Sequence, residues 1–425
     1  MNALPVVPIN AESGLTSRKV KTTRRAPVVV FSCVFLLLVS TTVTVFVDDA
    51  WALQSFQIGI YAVLGLYLLV GIGRGREKIA PGFSPWLVYL IPVWGIVQLA
   101  AHTTASSVET REAVLRWGAL ATVFFLTQTA AKTHKARRNI LSAFLIFATA
   151  MAVLCLAQLF TSGGKVLWTF STGHPDVFAT FQYYANYSQF IELALPIALW
   201  RGVREGWRSW WYMPAGGLLY ASVIASASRP GAALCTAELV GMLVIGLVKL
   251  RDPETGRPTP ATAAMLVVIP VLAAAFTIAV GWQHVWNKFQ LNDQYLVRKE
   301  FALAAVDMTK QRPLTGYGLG TYPEVYQRYA IRDFPLYVNH AHNDWAEFAA
   351  DGGIPFLLFV LIPFAVAIPA AVRNPWGLGL LAVMLHACVD YPFPRPAVSG
   401  WMFMMLALLY ITRVQDEGDQ QKVPS

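Results

Sequence analysis

The stretch NILSAFLIFATAMAVLCLAQLF, Asn139 to Phe160, decides the class of fold, because it carries no charged residue from end to end. A helix rises about 1.5 Å per residue, so this run crosses the roughly 30 Å hydrocarbon layer of a bilayer. Working outward, comparable apolar runs lie at 28–47, 51–72, 83–101, 113–131, 183–200, 210–227, 231–248, 262–281, 353–372, 376–390 and 397–412. Composition agrees with them. Charged residues make up 13% of the 425, hydrophobic ones 56%, and the mean hydropathy is +0.49. Soluble domains carry about a quarter charged residues, so a soluble or disordered chain is ruled out for want of polar surface. The sequence predicts an all-α polytopic membrane protein with about twelve transmembrane helices, a form that satisfies backbone polar groups within each span.

Lys and Arg set the orientation, since they are retained on the cytoplasmic side. Arg18, Lys19, Lys21, Arg24 and Arg25 precede the first run, and Lys132, Lys135, Arg137 and Arg138 precede the quoted one. Alternate loops counted from the inside hold 21 of the 33 basic residues, which places both termini in the cytoplasm. The net charge of +9 is accounted for by this topology, so nucleic acid is not an expected partner. The first run is followed by Asp48 and Asp49 without a small-x-small cleavage site and reads as an anchor. Residues 1–27 and 413–425 read as disordered cytoplasmic tails, 28–200 as N-terminal transmembrane helices, and 201–412 as the functional region. Cys33, Cys155, Cys235 and Cys388 have no ligand spacing.

The outer loop 282–352 is long, polar and aromatic, and loops of that length usually carry function. It ends in Tyr337-Val338-Asn339-His340-Ala341-His342-Asn343-Asp344-Trp345-Ala346-Glu347. Asp344 followed by Glu347 resembles a capping box, which predicts a short helix from Asp344 to the Gly352-Gly353 pair. His342 then sits ahead of a helix N-terminus, placed to face an anion or to act as a general base. A surface histidine with one structural hydrogen bond is the competing reading. His340, His342 and Asp344 also suit metal ligands on a strand, but only the distant His284 and His386 can complete a set, so no metal is expected.

Arg229, Arg298 and Arg395 lie on the outer face beside spans, where a guanidinium can clamp a phosphate or snorkel to lipid headgroups. Gly316, Gly318 and Gly320 in Pro313-Leu314-Thr315-Gly316-Tyr317-Gly318-Leu319-Gly320 read as a tight turn rather than a nucleotide loop, because no Gly-Lys-Ser/Thr follows. Glu192 and Glu238 lie inside apolar spans and support a different class of protein, an ion-coupled transporter or flippase of lipid-linked sugars.

The Ser228-to-Gly231 step (Ser-Arg-x-Gly), Arg298 ahead of an amphipathic stretch, the Pro313–Gly320 glycines, and Ala341-His342-Asn343 with Gly353-Ile354-Pro355 together resemble the O-antigen ligase and polymerase (Wzy-like) superfamily. The resemblance covers about residues 180–410. It implies a GT-C-type, inverting, metal-independent glycosyltransferase without a cofactor, in the bacterial inner membrane, acting at the periplasmic face through a large periplasmic loop. The implied donor is an undecaprenyl-diphosphate-linked glycan, and the acceptor is a glycan, a lipid A-core or a protein, with membrane lipids around both. Carried over, Arg229 and Arg298 would hold the donor diphosphate, His342 would activate the acceptor hydroxyl, and Asn343 would orient it or contact the sugar. The doubled His340-Ala341-His342 leaves open which histidine is the base. Asp390 would pair with Arg395 or Arg229.

Overall fold

The computed structural model describes residues 13–47, 49–72, 84–172, 176–205, 210–249, 294–332 and 337–420, with isolated positions between 263 and 286. Most of the predicted run 262–281, the loop residues 287–293 and 333–336, and His284 lie outside the described residues. Helices α1 (Ser13–Val43), α2 (Ala50–Ile72), α3 (Leu90–Ala100), α4 (Ser107–Ala130) and α5 (His134–Thr161) follow the first five apolar runs. Next come α6 (Tyr184–Glu205), α7 (Tyr212–Ser226) and α8 (Arg229–Lys249). The loop region supplies α9 (Gln294–Gln311) and the short α10 (Tyr322–Tyr326), and the chain ends with α11 (Asp344–Arg373), α12 (Leu378–His386) and α13 (Pro396–Gln420). The only sheet among the described residues is a two-stranded hairpin, β1 (Lys165–Val166) against β2 (Phe170–Ser171).

Among the described residues, five helices are long and apolar enough to cross a membrane: Ala50–Val70, His134–Thr161, Arg229–Val248, Asp344–Arg373 and Pro396–Val414. Shorter apolar helices occur at Pro27–Val43, Trp86–Ala100 and Pro375–His386. The protein is therefore a mostly helical membrane protein. Two sequence expectations are corrected. Helix α1 starts at Ser13 and α13 runs to Gln420, so the segments next to both tails are helical. The run 376–390 forms only a nine-residue helix after a 3-10 turn, because the chain leaves the helix at Ala387 to build the loop that carries Asp390.

Burial ranks the helices. In α13 the apolar stretch is 78% buried inside the protein, against 17% for α2, so α13 is the central post and α2 faces lipid. Trp401 of α13 stacks on Phe144 of α5 at 4.6 Å, and Trp117 of α4 gathers Phe348, Phe356, Phe393 and Phe403 around it. Aromatic edges and faces packed this way give the core its largest buried areas.

The bundle has two chemically different ends. At one, Arg201 near the end of α6 donates to Ser142 Oγ at 2.5 Å, to the Tyr212 hydroxyl at 3.0 Å and to the Arg138 carbonyl at 2.8 Å, tying α5, α6 and α7 together. At the other lie the first residues of α6, α8, α11 and α13, the last residues of α12, and α9 across them. The segment before α6 is strapped down there. Gln158 donates to the Ala179 carbonyl at 2.6 Å, Thr180 to the Thr42 carbonyl at 2.7 Å and Gln182 to the Phe46 carbonyl at 2.7 Å, which delivers Tyr183 and Tyr184 to a fixed place.

Helix α11 is broken at Gly353, whose φ of 70° and ψ of −180° are not helical. A break frees carbonyls that must find other donors. Tyr317 N–H takes Ala350 at 3.1 Å, Gly318 N–H takes Asp351 at 2.8 Å, Trp94 Nε1 takes Gly352 at 2.8 Å, and Gln98 Nε2 takes Asp351 at 2.9 Å. The Pro313–Gly320 stretch is thus a turn, as read from sequence, and it is the cap of this break. Gly316, Gly318 and Gly320 all have positive φ.

Candidate active site

The segment before α11 lays two histidines side by side, each against its own carboxylate. Asn343 is the N-cap of α11, and its side-chain oxygen accepts from Ala346 N–H at 3.0 Å. The cap is therefore Asn343 and not Asp344, a one-residue correction that leaves Glu347 free for another task. Glu347 Oε1 lies 3.0 Å from His340 Nδ1, while its Oε2 accepts from Ala341 N–H at 2.7 Å. His342 stands just ahead of the cap with φ 50°, a left-handed conformation that non-glycine residues adopt rarely and often at functional sites.

His342 Nδ1 faces Asp390 Oδ1 at 3.5 Å, an ion-pair distance longer than a formed hydrogen bond. Catalytic hydrogen bonds often tighten only when substrate binds. The ring is packed from three sides: face to face with Phe301 at 6.2 Å, and edge-on to Tyr391 at 4.9 Å and Tyr183 at 6.4 Å. The His342 side chain keeps 21% exposure, whereas Asp390 has none.

Asp390 is the hub. Tyr183 donates to its Oδ2 at 3.2 Å, Tyr391 N–H donates to Oδ1 at 3.0 Å, and Arg298 Nη1 lies 3.6 Å from Oδ2. Arg298 also donates to the Tyr183 hydroxyl and to the Tyr184 hydroxyl, the latter at 3.1 Å. Burial by itself would raise the Asp390 carboxyl, but the His342 imidazole and the Arg298 guanidinium beside it hold it below the usual carboxylate range. Arg298 is held protonated in return: burial opposes its charge, and Tyr183, Asp390 and Tyr184 outweigh that effect.

The loop that carries Asp390 is fixed to α11. Asp344 N–H donates to the carbonyls of Ala387 at 3.0 Å and Asp390 at 3.3 Å, and the buried Asp344 carboxylate accepts from Phe393 N–H at 3.0 Å. With the N–H groups of Asp344 and Ala346 taken, the helix terminus offers little to an anion. Asp344 is a brace for the loop. Arg116 of α4 brings a positive charge to the acidic side of α11 formed by Asp344, Glu347 and Asp351.

The remaining predicted residues fall around this hub. Arg229 opens α8, half-buried, directly after Ser228, whose hydroxyl accepts from Ser188 of α6 at 3.0 Å and from Gly231 N–H at 3.2 Å. Ser188 is one turn from Tyr184, so Arg229 lies at the same end of the bundle as Arg298. A Cβ on Gly231 would stand 2.5 Å from the Ser188 side chain, so the Ser-Arg-x-Gly step lets α8 approach α6 closely. Asp390 pairs with Arg298 and His342, and not with Arg395 or Arg229 as the sequence suggested. Arg395 lies beside Tyr391. His386 is fully buried with Nδ1 2.7 Å from Glu192 Oε1, so it is a core residue and not an outer-face ligand. Among the described residues, no three His, Cys, Asp or Glu side chains converge as a metal site.

Tyr183, Tyr184, Phe301, Tyr391 and Arg116 were missed by sequence reasoning. Tyr391 had a weak signal in the Asp390-Tyr391-Pro392 step. Tyr183 and Tyr184 had only their position ahead of an apolar run.

Between α9 and α11, next to this cluster, lies a cleft of about 510 Å³ lined almost wholly by apolar atoms and touching Asn343 and Trp345.

Residues 215–362, about a third of the chain, match the family Wzy_C, described as O-antigen ligase. That match is narrower than the stretch of resemblance read from the motifs; it includes Arg229, Arg298, His340, His342 and Asn343 but not Asp390 or Arg395. No curated protein and no solved structure matches the chain. With the helices long and apolar enough to cross a membrane and the matched region in hand, the chain is a multi-pass membrane protein whose residues 215–362 match the Wzy_C family, described as O-antigen ligase.

Proposed function

We propose that the protein is a GT-C-type, inverting glycosyltransferase of the bacterial inner membrane. It transfers or polymerises glycan from an undecaprenyl-diphosphate-linked donor at the periplasmic face, with both termini in the cytoplasm and residues 201–412 as the catalytic region. The observation that carries this reading is the continuous chain His342–Asp390–Arg298, in which a base, the group that orients it and a cation are joined through one buried carboxylate. Asp390 faces Nδ1 of His342 at 3.5 Å, which leaves Nε2 on the other side of the ring for the acceptor hydroxyl.

In the reaction, His342 removes the hydroxyl proton as the acceptor oxygen attacks the anomeric carbon. The bond from that carbon to the diphosphate oxygen breaks on the opposite face. Arg298, with Arg229 at the same end of the bundle, neutralises the departing diphosphate, a task that needs no metal when guanidinium groups are in place. Asn343 fixes the helix start behind the base. His340, tied to Glu347 and stacked on Tyr391 at 4.4 Å, supports the aromatic wall.

The test is display of polysaccharide in a host lacking this chain, complemented at matched membrane levels. His342→Ala and Arg298→Ala should fail to restore polymer or ligated glycan while the lipid-linked donor accumulates; full complementation by His342→Ala would sink the assignment. A transporter reading draws on Glu192 and Glu238, both buried in the bundle core. It requires that Glu192→Gln abolish export while His342→Ala does not.

A further inference from the structure

Helix α9 orders the site along its own length. Arg298 stands near its start, Phe301 packs on His342 one turn later, and Val306, Thr309 and Lys310 line the 510 Å³ cleft against α11. From Arg298 to the cleft is eight to twelve residues, roughly 12–18 Å at helical rise. The base therefore lies between the cation and the cleft. Inverting transfer puts the leaving group and the acceptor on opposite sides of the reacting carbon, with the base on the acceptor's side. If Arg298 holds the leaving diphosphate, the cleft is on the acceptor's side.

The cleft suits a hydrocarbon chain. On the α11 side it is formed by Trp345, Ala346, Ala349, Ile354 and Leu357, and it opens toward the apolar stripe of Ile354, Leu358 and Ile362 on a membrane-crossing helix, all three exposed. A chain can slide in from the bilayer without crossing water. At the rim stands Lys310, exposed beside Asp307, which suits a polar headgroup at the mouth. We infer that the cleft between α9 and α11 seats the hydrocarbon chain of a lipid-borne acceptor, so that acceptor hydroxyls reach His342 from the membrane. The inference rests on the transferase reading for its direction, and a protein acceptor would have no use for the cleft.

The experiment uses purified full-length protein in phosphatidylglycerol nanodiscs with two photoreactive diazirine probes, hexadecyl glucoside and geranylgeranyl diphosphate. Peptides carrying the adducts are mapped by mass spectrometry. Hexadecyl glucoside should label the peptides containing Val306–Lys310 and Ile354–Leu357, and excess farnesyl diphosphate should leave that labelling in place. Val306→Trp, which fills the cleft from a position already 40% exposed, should cut it by about tenfold or more, as should Thr309→Phe. Arg298→Ala should not. Labelling that farnesyl diphosphate displaces, or labelling of the cleft by the diphosphate probe alone, assigns the cleft to the donor chain and overturns the inference; so does absence of labelling.

In the complementation assay Val306→Trp should lose polymer with donor accumulating. Normal polymer from Val306→Trp beside failure of His342→Ala overturns the cleft and spares the transferase, as does equal modification of a protein acceptor by both Val306→Trp and wild type. Normal polymer from His342→Ala removes the transferase reading, and the labelling then decides by itself whether the cleft takes a chain.

Discussion

At the scale of single residues, the site depends on one carboxylate serving both the proposed base and a cation. Asp390→Asn keeps the shape and removes the charge, so His342 loses the partner that orients it and Arg298 loses its counter-charge. General-base catalysis is worth about 10²–10⁴-fold, and we expect glycan transfer by Asp390→Asn to fall by about 100-fold or more, read in isolated membranes at equal protein. The same residue gives a pH signature. Its folded carboxyl is held below the ordinary value, so its stabilisation is present above the unfolded value near 4 and is lost as pH falls through the folded one. Thermal unfolding in detergent should therefore show a constant gap between wild type and Asp390→Asn above about pH 5, closing below about pH 4. His340→Ala should cost far less activity than His342→Ala, since Glu347 and Tyr391 hold His340 as part of a wall.

At the scale of elements, the break in α11 decides where the base stands. The first turns of α11 belong to the site and the rest crosses the membrane, and Gly353 lets the two meet. A Cβ at Gly353 would come within 2.6 Å of the Leu314 backbone, and one at Gly316 within 2.3 Å of the Asp351 carbonyl. Left-handed backbone alone costs a non-glycine residue about 1–2 kcal/mol, so Gly353→Ala and Gly316→Ala should each lower stability by at least that much in thermal unfolding. Gly241→Ala, with open space around its Cβ, is the control. The second element-scale tie is the pair between Glu192 of α6 and His386 at the end of α12. Removing one member of a buried pair typically costs about 3–5 kcal/mol. Glu192→Leu alone should destabilise strongly, and Glu192→Leu with His386→Leu should recover much of the loss. Failure of the double variant to recover would show that the pair does more than pack.

At the scale of the molecule, the two ends of the bundle should face opposite compartments. Cys388 is exposed and two residues from Asp390. In a variant whose other three cysteines are serine, a membrane-impermeant maleimide added to spheroplasts should label Cys388, while a cysteine at Glu205, at the Arg201 end, should react only after lysis. The reverse pattern would invert the orientation.

Much of this organisation was legible in the sequence, for identifiable reasons. Hydrophobic length and the spacing of Lys and Arg are local properties, so the membrane class and most helix positions among the described residues needed no tertiary information. The tight turn at Gly316–Gly320 and the helix start at the end of the long loop came from local backbone chemistry, with the cap misplaced by one residue because Asn343 and Asp344 are both good caps. His342, Arg298 and Asp390 were picked out by residue type and by likeness to a family. Which of them touch was not legible: Asp390 is 48 residues from His342 and 92 from Arg298, and sequence proximity favoured Arg395 instead. Tyr183 enters the site only because the segment before α6 is strapped to α1 and α5. Charge, hydropathy and turn chemistry act within a few residues along the chain and were settled by the sequence itself; the pairing of Asp390 with His342 and Arg298, and the cleft between α9 and α11, exist only once α6, α9, α11 and the loop after α12 pack at one end of the bundle.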